Sequence, residues 1–305
     1  MALTCLEALV AAGFNIAGVM TRPPARRGRS SKLVDSPVGA YAKEKGLPLL
    51  ETSRPSETES LEWIRSKHAD LGVVVAYGAL LKKDVLESTK DGWVNLHFSK
   101  LPDLRGAAPV QRAVLRGDKT VGTTVFFLDE GMDTGPILST EDVQIAPLET
   151  SGQLLERLAK IGGAQLVRTV AEIEAGSASA TPQPDGEWEL APKMTSADGF
   201  ISFQGSAEQT VNRIRAVSPA PGAWTSEPSG RRLKLADASI TEFKLDPGEV
   251  AVRDKQLVVG TGTRAVALGQ VAPAGKTWMN AADWLRGARV GEDYRLGTTS
   301  ERGSA

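Results

Sequence analysis

The run LGVVVA at residues 71–76 has no polar side chain. A strand with one wet face alternates apolar and polar residues, so this run predicts a strand covered on both faces. Such strands belong to parallel sheets with helices packed on either side. The flanking sequence supplies those helices. Leu3, Leu6, Leu9 and Val10 share one face of a helix over 3–12, with Gly13 as its stop. FNIAGVM at 14–20 reads as a strand, and TRPPARRGRSSKLVDSP after it as a loop. A helix over 37–45 ends at Gly46, and Pro48 confines a short strand at 47–50 to an edge or a strand start. Helices over 57–67, 79–87 and 107–117 alternate with strands over 71–76, 93–98 and 121–128. This order predicts βαβ units and an α/β layer architecture.

The pattern changes in the second half. A long helix over 151–175 ends at Gly176, and a stretch rich in Ala, Pro, Asp and Gly follows. After a helix over 207–217, the runs RLKLADASI, GEVAVR, QLVVGTG and AVALGQV read as closely spaced short strands, the pattern of a small β-barrel. With 305 residues, two domains are expected at roughly 100–200 residues each. We place the catalytic domain at 1–182, a linker at 183–205 and a second domain at 206–305.

A formal net charge of −1 excludes a wholly basic surface, so any polynucleotide must meet a local patch. The single cysteine, Cys5, excludes an intrachain disulfide and fits a reducing cytoplasm; it reads as a small buried side chain. No run of 18 apolar residues is present, which predicts no membrane span, and Glu7 and the lack of a basic start argue against a leader peptide.

Of the two histidines, His68 reads as a surface residue at a helix end. His97 lies at the carboxyl end of a strand, where open α/β sheets bind ligands. Asn95 is two residues before it, so both side chains share one face. Two hydrogen-bond donors there suit a reaction that develops an oxyanion, although an isolated Asn-x-His is common in structural roles. FLDEGMDTGPIL, 127–138, also follows a strand and brings Asp129, Glu130 and Asp133 into one loop. A carboxylate beside an imidazole can keep it protonated and relay a proton. A metal site would compete for the same residues, but so few His and Cys residues predict none.

The segment VNLHFSKLPDLRGAAPVQRA resembles the signature of the formyltetrahydrofolate-dependent transferases, most closely the branch whose acceptor is methionyl-tRNA. MDTGPIL, VVVAYGALL and KLVDSPVGAYAKEKGLPL are similar to the same family, as are, more weakly, KMTSADGFISF, RIRAVSPAPGAW and PAGKTWMNAADWL. The resemblance covers nearly the whole chain and implies a Rossmann-like catalytic domain. It implies that Asn95, His97 and Asp133 are the catalytic triad and that 10-formyltetrahydrofolate is the formyl donor. It implies that Ser99, Lys100, Leu101 and Pro102 contribute to the folate site, with Lys100 and Asp103-Leu104 departing from the usual residues. The implied reaction moves a formyl group to the free amino group of methionyl-initiator tRNA for translation initiation, in the cytoplasm, by a monomer.

Between Ala8 and Val34 the chain has five basic residues and no acidic one: Arg22, Arg26, Arg27, Arg29 and Lys32. Such a loop could simply be solvated; the resemblance implies that it meets the tRNA acceptor end. Residues 206–305, which the resemblance likens to an OB-like tRNA-binding barrel, carry 14 Lys or Arg against 11 Asp or Glu. Arg231, Arg232 and Lys234 lie together there. Two readings stay open beside this one: a relative that uses a small-molecule acceptor or hydrolyses the formyl folate, and an inactive RNA-binding homologue. The second arises because the family's usual first strand and glycine loop have no counterpart before LEALV. We therefore expect a gap in the middle of the sheet and a true start upstream of Met1.

Overall fold

The computed structural model describes residues 1–26, 32–288, 291 and 293–297. Its contacts divide the chain into two compact units. One is built from Met1–Pro109, Thr120–Val143 and Leu155–Ala191, the other from Val110–Lys119, Gln144–Leu154 and the chain from Pro192 onward.

The first unit is an α/β layer structure. Its opening elements are α1 (Ala2–Ala11), β1 (Val19–Thr21), β2 (Ala25–Arg26), β3 (Leu33–Val34), α2 (Pro37–Lys45), β4 (Leu49–Glu51) and α3 (Thr58–Ser66). Then come β5 (Gly72–Val74), α4 (Lys83–Leu86), β6 (Trp93–His97), α5 (Pro109–Arg116, which from Val110 on belongs to the second unit), β7 (Thr120–Phe127), β8 (Ile137–Gln144) and α6 (Ser151–Glu174, in the first unit from Leu155 on). Local chemistry sets these boundaries. The Ser36 side chain accepts the Gly39 N–H at 2.9 Å and so caps α2. Gly46, at φ 65°, ends the same helix in the left-handed conformation that glycine adopts without cost.

Two parallel pairings carry the layer. β1 pairs with β4, Val19 opposite Leu49, and β5 pairs with β6, Val74 opposite Asn95. β7 runs antiparallel to β6, and the four-stranded order is β5-β6-β7-β8. Among the described residues β1 and β5 do not pair, so these strands form two sheets. Arg22, immediately after β1, ties their carboxyl ends together: its Nε donates to Tyr77 O at 3.0 Å and its Nη2 to Gly78 O at 2.5 Å. The strand expected at 14–20 is shorter than its apolar run: among the described residues β1 pairs with β4 alone, over three residue pairs.

β6 is the central element of the site. Val94 and Leu96 on one face are fully buried, as are Val125 and Phe126 of β7. Burying such a side chain contributes about 1.5–3 kcal/mol. α6 lies close against Leu96 because Gly162 has no side chain; a Cβ there would be 2.8 Å from Leu96 Cδ2. Cys5 is buried in this unit, and burial pushes its thiol pKa up to about 11, so it stays protonated near neutrality. His68 is exposed.

In the second unit, α7 (Ala207–Ala216) starts with a capping box between Ser206 and Gln209. It packs on a sheet built from β9 (Ala223–Ser226), β10 (Arg232–Ile240), β11 (Val250–Arg253), β12 (Gln256–Val259), β13 (Val266–Pro273) and β14 (Met279–Asn280), and α8 (Ala281–Ala288) follows. The order is β11-β12-β13-β10-β9 with β14 on β13, and these pairings are antiparallel. The expectation of many short strands holds, but the described strands form an open antiparallel sheet rather than a closed barrel. No helix among the described residues is long and apolar enough to cross a membrane.

Candidate active site

Asn95 and His97 leave the same face of β6 at its carboxyl end, as their spacing requires. The chain then turns through Ser99–Gly106 and comes back beneath the imidazole. His97 is buried, at 6 % exposure, and its Nε2 lies 3.0 Å from Leu104 O. A carbonyl can only accept, so Nε2 carries a proton in this contact. The other ring nitrogen, Nδ1, is thereby turned toward Asp133, whose Oδ2 is 3.8 Å away. That separation is longer than a hydrogen bond, close enough for a charge to act on the ring.

Asp133 belongs to the loop between β7 and β8, and its own backbone is left-handed, at φ 56°. Its Oδ2 also accepts the Gly106 N–H at 2.8 Å. Earlier in the loop, Asp129 Oδ1 accepts from Gly131 N at 3.0 Å and from Thr134 Oγ1 at 2.7 Å. This Asx-type turn presents Asp133 toward β6. Glu130 is exposed. Gly135 closes the loop onto the strand it left, since a Cβ there would sit 1.9 Å from Phe127 O. Gly135→Ala must therefore displace the loop. We expect a stability loss of about 1–3 kcal/mol or more, with a parallel fall in kcat, checked by thermal melting and initial rates.

Asn95 completes the constellation. Its Oδ1 is buried and has no hydrogen-bond partner among the described residues. A buried acceptor without a partner costs free energy, and such groups concentrate where a ligand supplies the missing donor. Phe126, edge-on to His97 with centroids 6.5 Å apart, walls this side of the site with an apolar surface. Among the described residues no group of three or more His, Cys, Asp or Glu side chains could hold a metal ion.

The remaining candidate residues are placed less directly. Ser99 is buried; its hydroxyl donates to Asp103 O at 2.6 Å, and its own carbonyl accepts from Thr124 Oγ1 at 2.7 Å. Leu101 and Pro102 are also buried, joined by a cis peptide bond. Lys100 turns outward to Asp142, 2.8 Å away. Arg26 and Lys32 are exposed beside the short ladder of β2 and β3, and Arg22, also exposed, gives two of its N–H groups to Tyr77 O and Gly78 O. Arg27 and Arg29 lie outside the described residues.

Sequence reading did not find the groups that hold the pair: the Leu104 carbonyl, the Gly106 N–H and Gln183. Gln183 opens the stretch read as a linker. Thr181, just before it, exchanges both backbone hydrogen bonds with Ile137, and Ala191 does the equivalent with Arg105 and Ala108.

Family models and relatives of known name match this chain over most of its length. The formyl transferase family model matches residues 4–170, and the model of the formyl transferase C-terminal domain matches residues 193–289. The methionyl-tRNA formyltransferase of Salinispora tropica is 45% identical over 292 residues, covering 95% of this chain and 94% of that protein. The chain belongs to the methionyl-tRNA formyltransferase family. The Streptomyces coelicolor enzyme of the same name is 44% identical over 300 residues, covering 97% of this chain and 96% of its own. Solved family folds are more distant. An N-formyltransferase from Helicobacter canadensis, in complex with folinic acid and dTDP-3-aminofucose, has a TM-score of 0.64 at 18% identity, covering 88% of this chain and 95% of its own. HypX from Aquifex aeolicus, in complex with tetrahydrofolic acid, has a TM-score of 0.59 at 21% identity, covering 80% of this chain and 43% of its own.

Proposed function

We propose that this formyltransferase moves the formyl group of 10-formyltetrahydrofolate to the α-amine of methionyl-initiator tRNA, with Asn95, His97 and Asp133 as the reacting groups. The observation that carries the reading is the meeting of three features at the end of β6. A buried imidazole has one nitrogen tied to Leu104 O, a carboxylate faces its other nitrogen, and an amide oxygen beside it has no partner.

The amine attacks the formyl carbon, and the carbonyl electrons move onto oxygen. His97, charged through Nδ1, and the Asn95 amide N–H stabilise that oxyanion. Each such donor contributes about 2.7–4 kcal/mol to the transition state. The unpaired Asn95 Oδ1 accepts an N–H of the incoming amine and orients its lone pair. As the intermediate collapses, the bond from carbon to the folate nitrogen breaks, the amine gives up a proton, and the departing nitrogen takes one. Asp133 supports the charged imidazole and carries that proton directly or through water. Ser99, Lys100, Leu101 and Pro102 form the folate-side turn, mainly through backbone and shape.

The catalytic domain spans 1–182, a linker 183–205, and residues 206–305 an OB-like tRNA-binding domain. Arg22, Arg26, Arg27, Arg29 and Lys32 follow the acceptor-end phosphates, in the cytoplasm where initiator tRNA is charged. The tRNA acceptor is supported by relatives of that name along almost the full length, the second domain included. In single-turnover assays with 10-formyltetrahydrofolate, methionyl-initiator tRNA is expected to exceed an amino-sugar nucleotide or glycinamide ribonucleotide by at least about 10² in kcat/KM. Equal transfer to a small acceptor, or release of free formate, would overturn the assignment.

A further inference from the structure

Asp133 holds a strained backbone, and its carboxylate alone does not fix the loop that carries it. The side chain of Gln183 does so from outside that loop. Its Nε2 donates to Asp133 O at 2.9 Å and to Gly135 O at 2.8 Å. Its Oε1 accepts from Arg105 Nε at 3.1 Å and Arg105 Nη2 at 2.6 Å. The two carbonyls can only accept and the guanidinium can only donate, so the amide has one orientation. A closed circuit results: Arg105 sets Gln183, Gln183 grips the Asp133 peptide, and the Asp133 carboxylate takes the N–H of Gly106, the residue after Arg105.

We propose that Gln183, oriented by Arg105, is a positioning residue that sets the Asp133 carboxylate against His97. This rests on the reading of Asp133 and His97 as the reacting pair. Gln183→Glu is the sharpest probe. Glutamate has the same shape and still pairs with Arg105, but it donates nothing and faces two carbonyl oxygens with a negative oxygen.

The test is a double-mutant cycle on formyl transfer from 10-formyltetrahydrofolate to methionyl-initiator tRNA, using Gln183→Glu, Asp133→Asn and the double variant. Gln183→Glu is expected to lower kcat about 10–100-fold while KM for folate and for tRNA stays within about twofold. Asp133→Asn lowers kcat at least as far, and the double variant falls no further than Asp133→Asn alone, within about twofold. A residue that merely supports the fold would instead multiply its loss onto that of Asp133→Asn. Losses that multiply, or a wild-type rate in Gln183→Glu with Asp133→Asn impaired, overturn the positioning role. Wild-type turnover in Asp133→Asn overturns the catalytic reading itself. If Gln183→Glu lacks native far-ultraviolet circular dichroism, Gln183→Ala completes the same cycle with the same criteria.

Discussion

His97→Ala is expected to reduce kcat by at least about 10²–10³ while KM for both substrates changes little. The expectation follows from where the two ring nitrogens point. Nε2 is held by Leu104 O at 3.0 Å and sets the ring plane, so Nδ1, on the side of Asp133 at 3.8 Å, is the atom left to meet developing charge. Alanine removes the donor and leaves Asp133 without the imidazole it supports. The fold loses one hydrogen bond and one aromatic contact, with Phe126, a cost of about 1–3 kcal/mol that leaves the protein folded at assay temperature. Single-turnover rates with purified, folded protein decide it: a rate within tenfold of wild type removes His97 from the chemistry.

Asn95→Ala is expected to lose activity on a similar scale, about 10²-fold, but without the stability loss that usually accompanies removal of a buried polar side chain. Oδ1 of Asn95 is already unpaired in the folded chain. Unfolding returns that oxygen to water, so it works against the fold by roughly 1–3 kcal/mol, and its removal offsets the small loss of packing. A melting temperature unchanged or raised, together with collapsed turnover, is the signature of a group kept for chemistry. A clear fall in melting temperature with near-normal turnover would assign Asn95 to structure instead.

Several parts of this fold were readable from composition and period alone. The helix over 37–45 ends at Gly46 as read, because glycine supplies the left-handed stop. The shared face of Asn95 and His97 is a consequence of the strand repeat. Other parts were not readable for equally physical reasons. β8, ILSTEDVQ, carries Glu141 and Asp142 and is buried at only one position, because it is an edge strand; its apolar signal is correspondingly weak. That Asp133 meets His97 depends on how two strand ends lie in space, which no local pattern encodes; the family resemblance supplied that pairing in advance. The charge of Arg22 is plain in the sequence, but not that two of its N–H groups cross to the loop after β5. Gln183 sits in TPQPDG, where proline and glycine signal irregular backbone but not what an amide there will grip.

The left-handed backbone of Asp133 has a consequence for which side chains this position can ever hold. Glycine would relax the main chain but delete the acid. Asparagine would keep the shape and the conformational tolerance but abolish the charge. Glutamate would keep the charge but tolerate the mirror-handed conformation poorly and reach past the imidazole. Aspartate alone answers both demands, so each of these three replacements is expected to lose either the carboxylate or the backbone geometry on which the proposed chemistry draws.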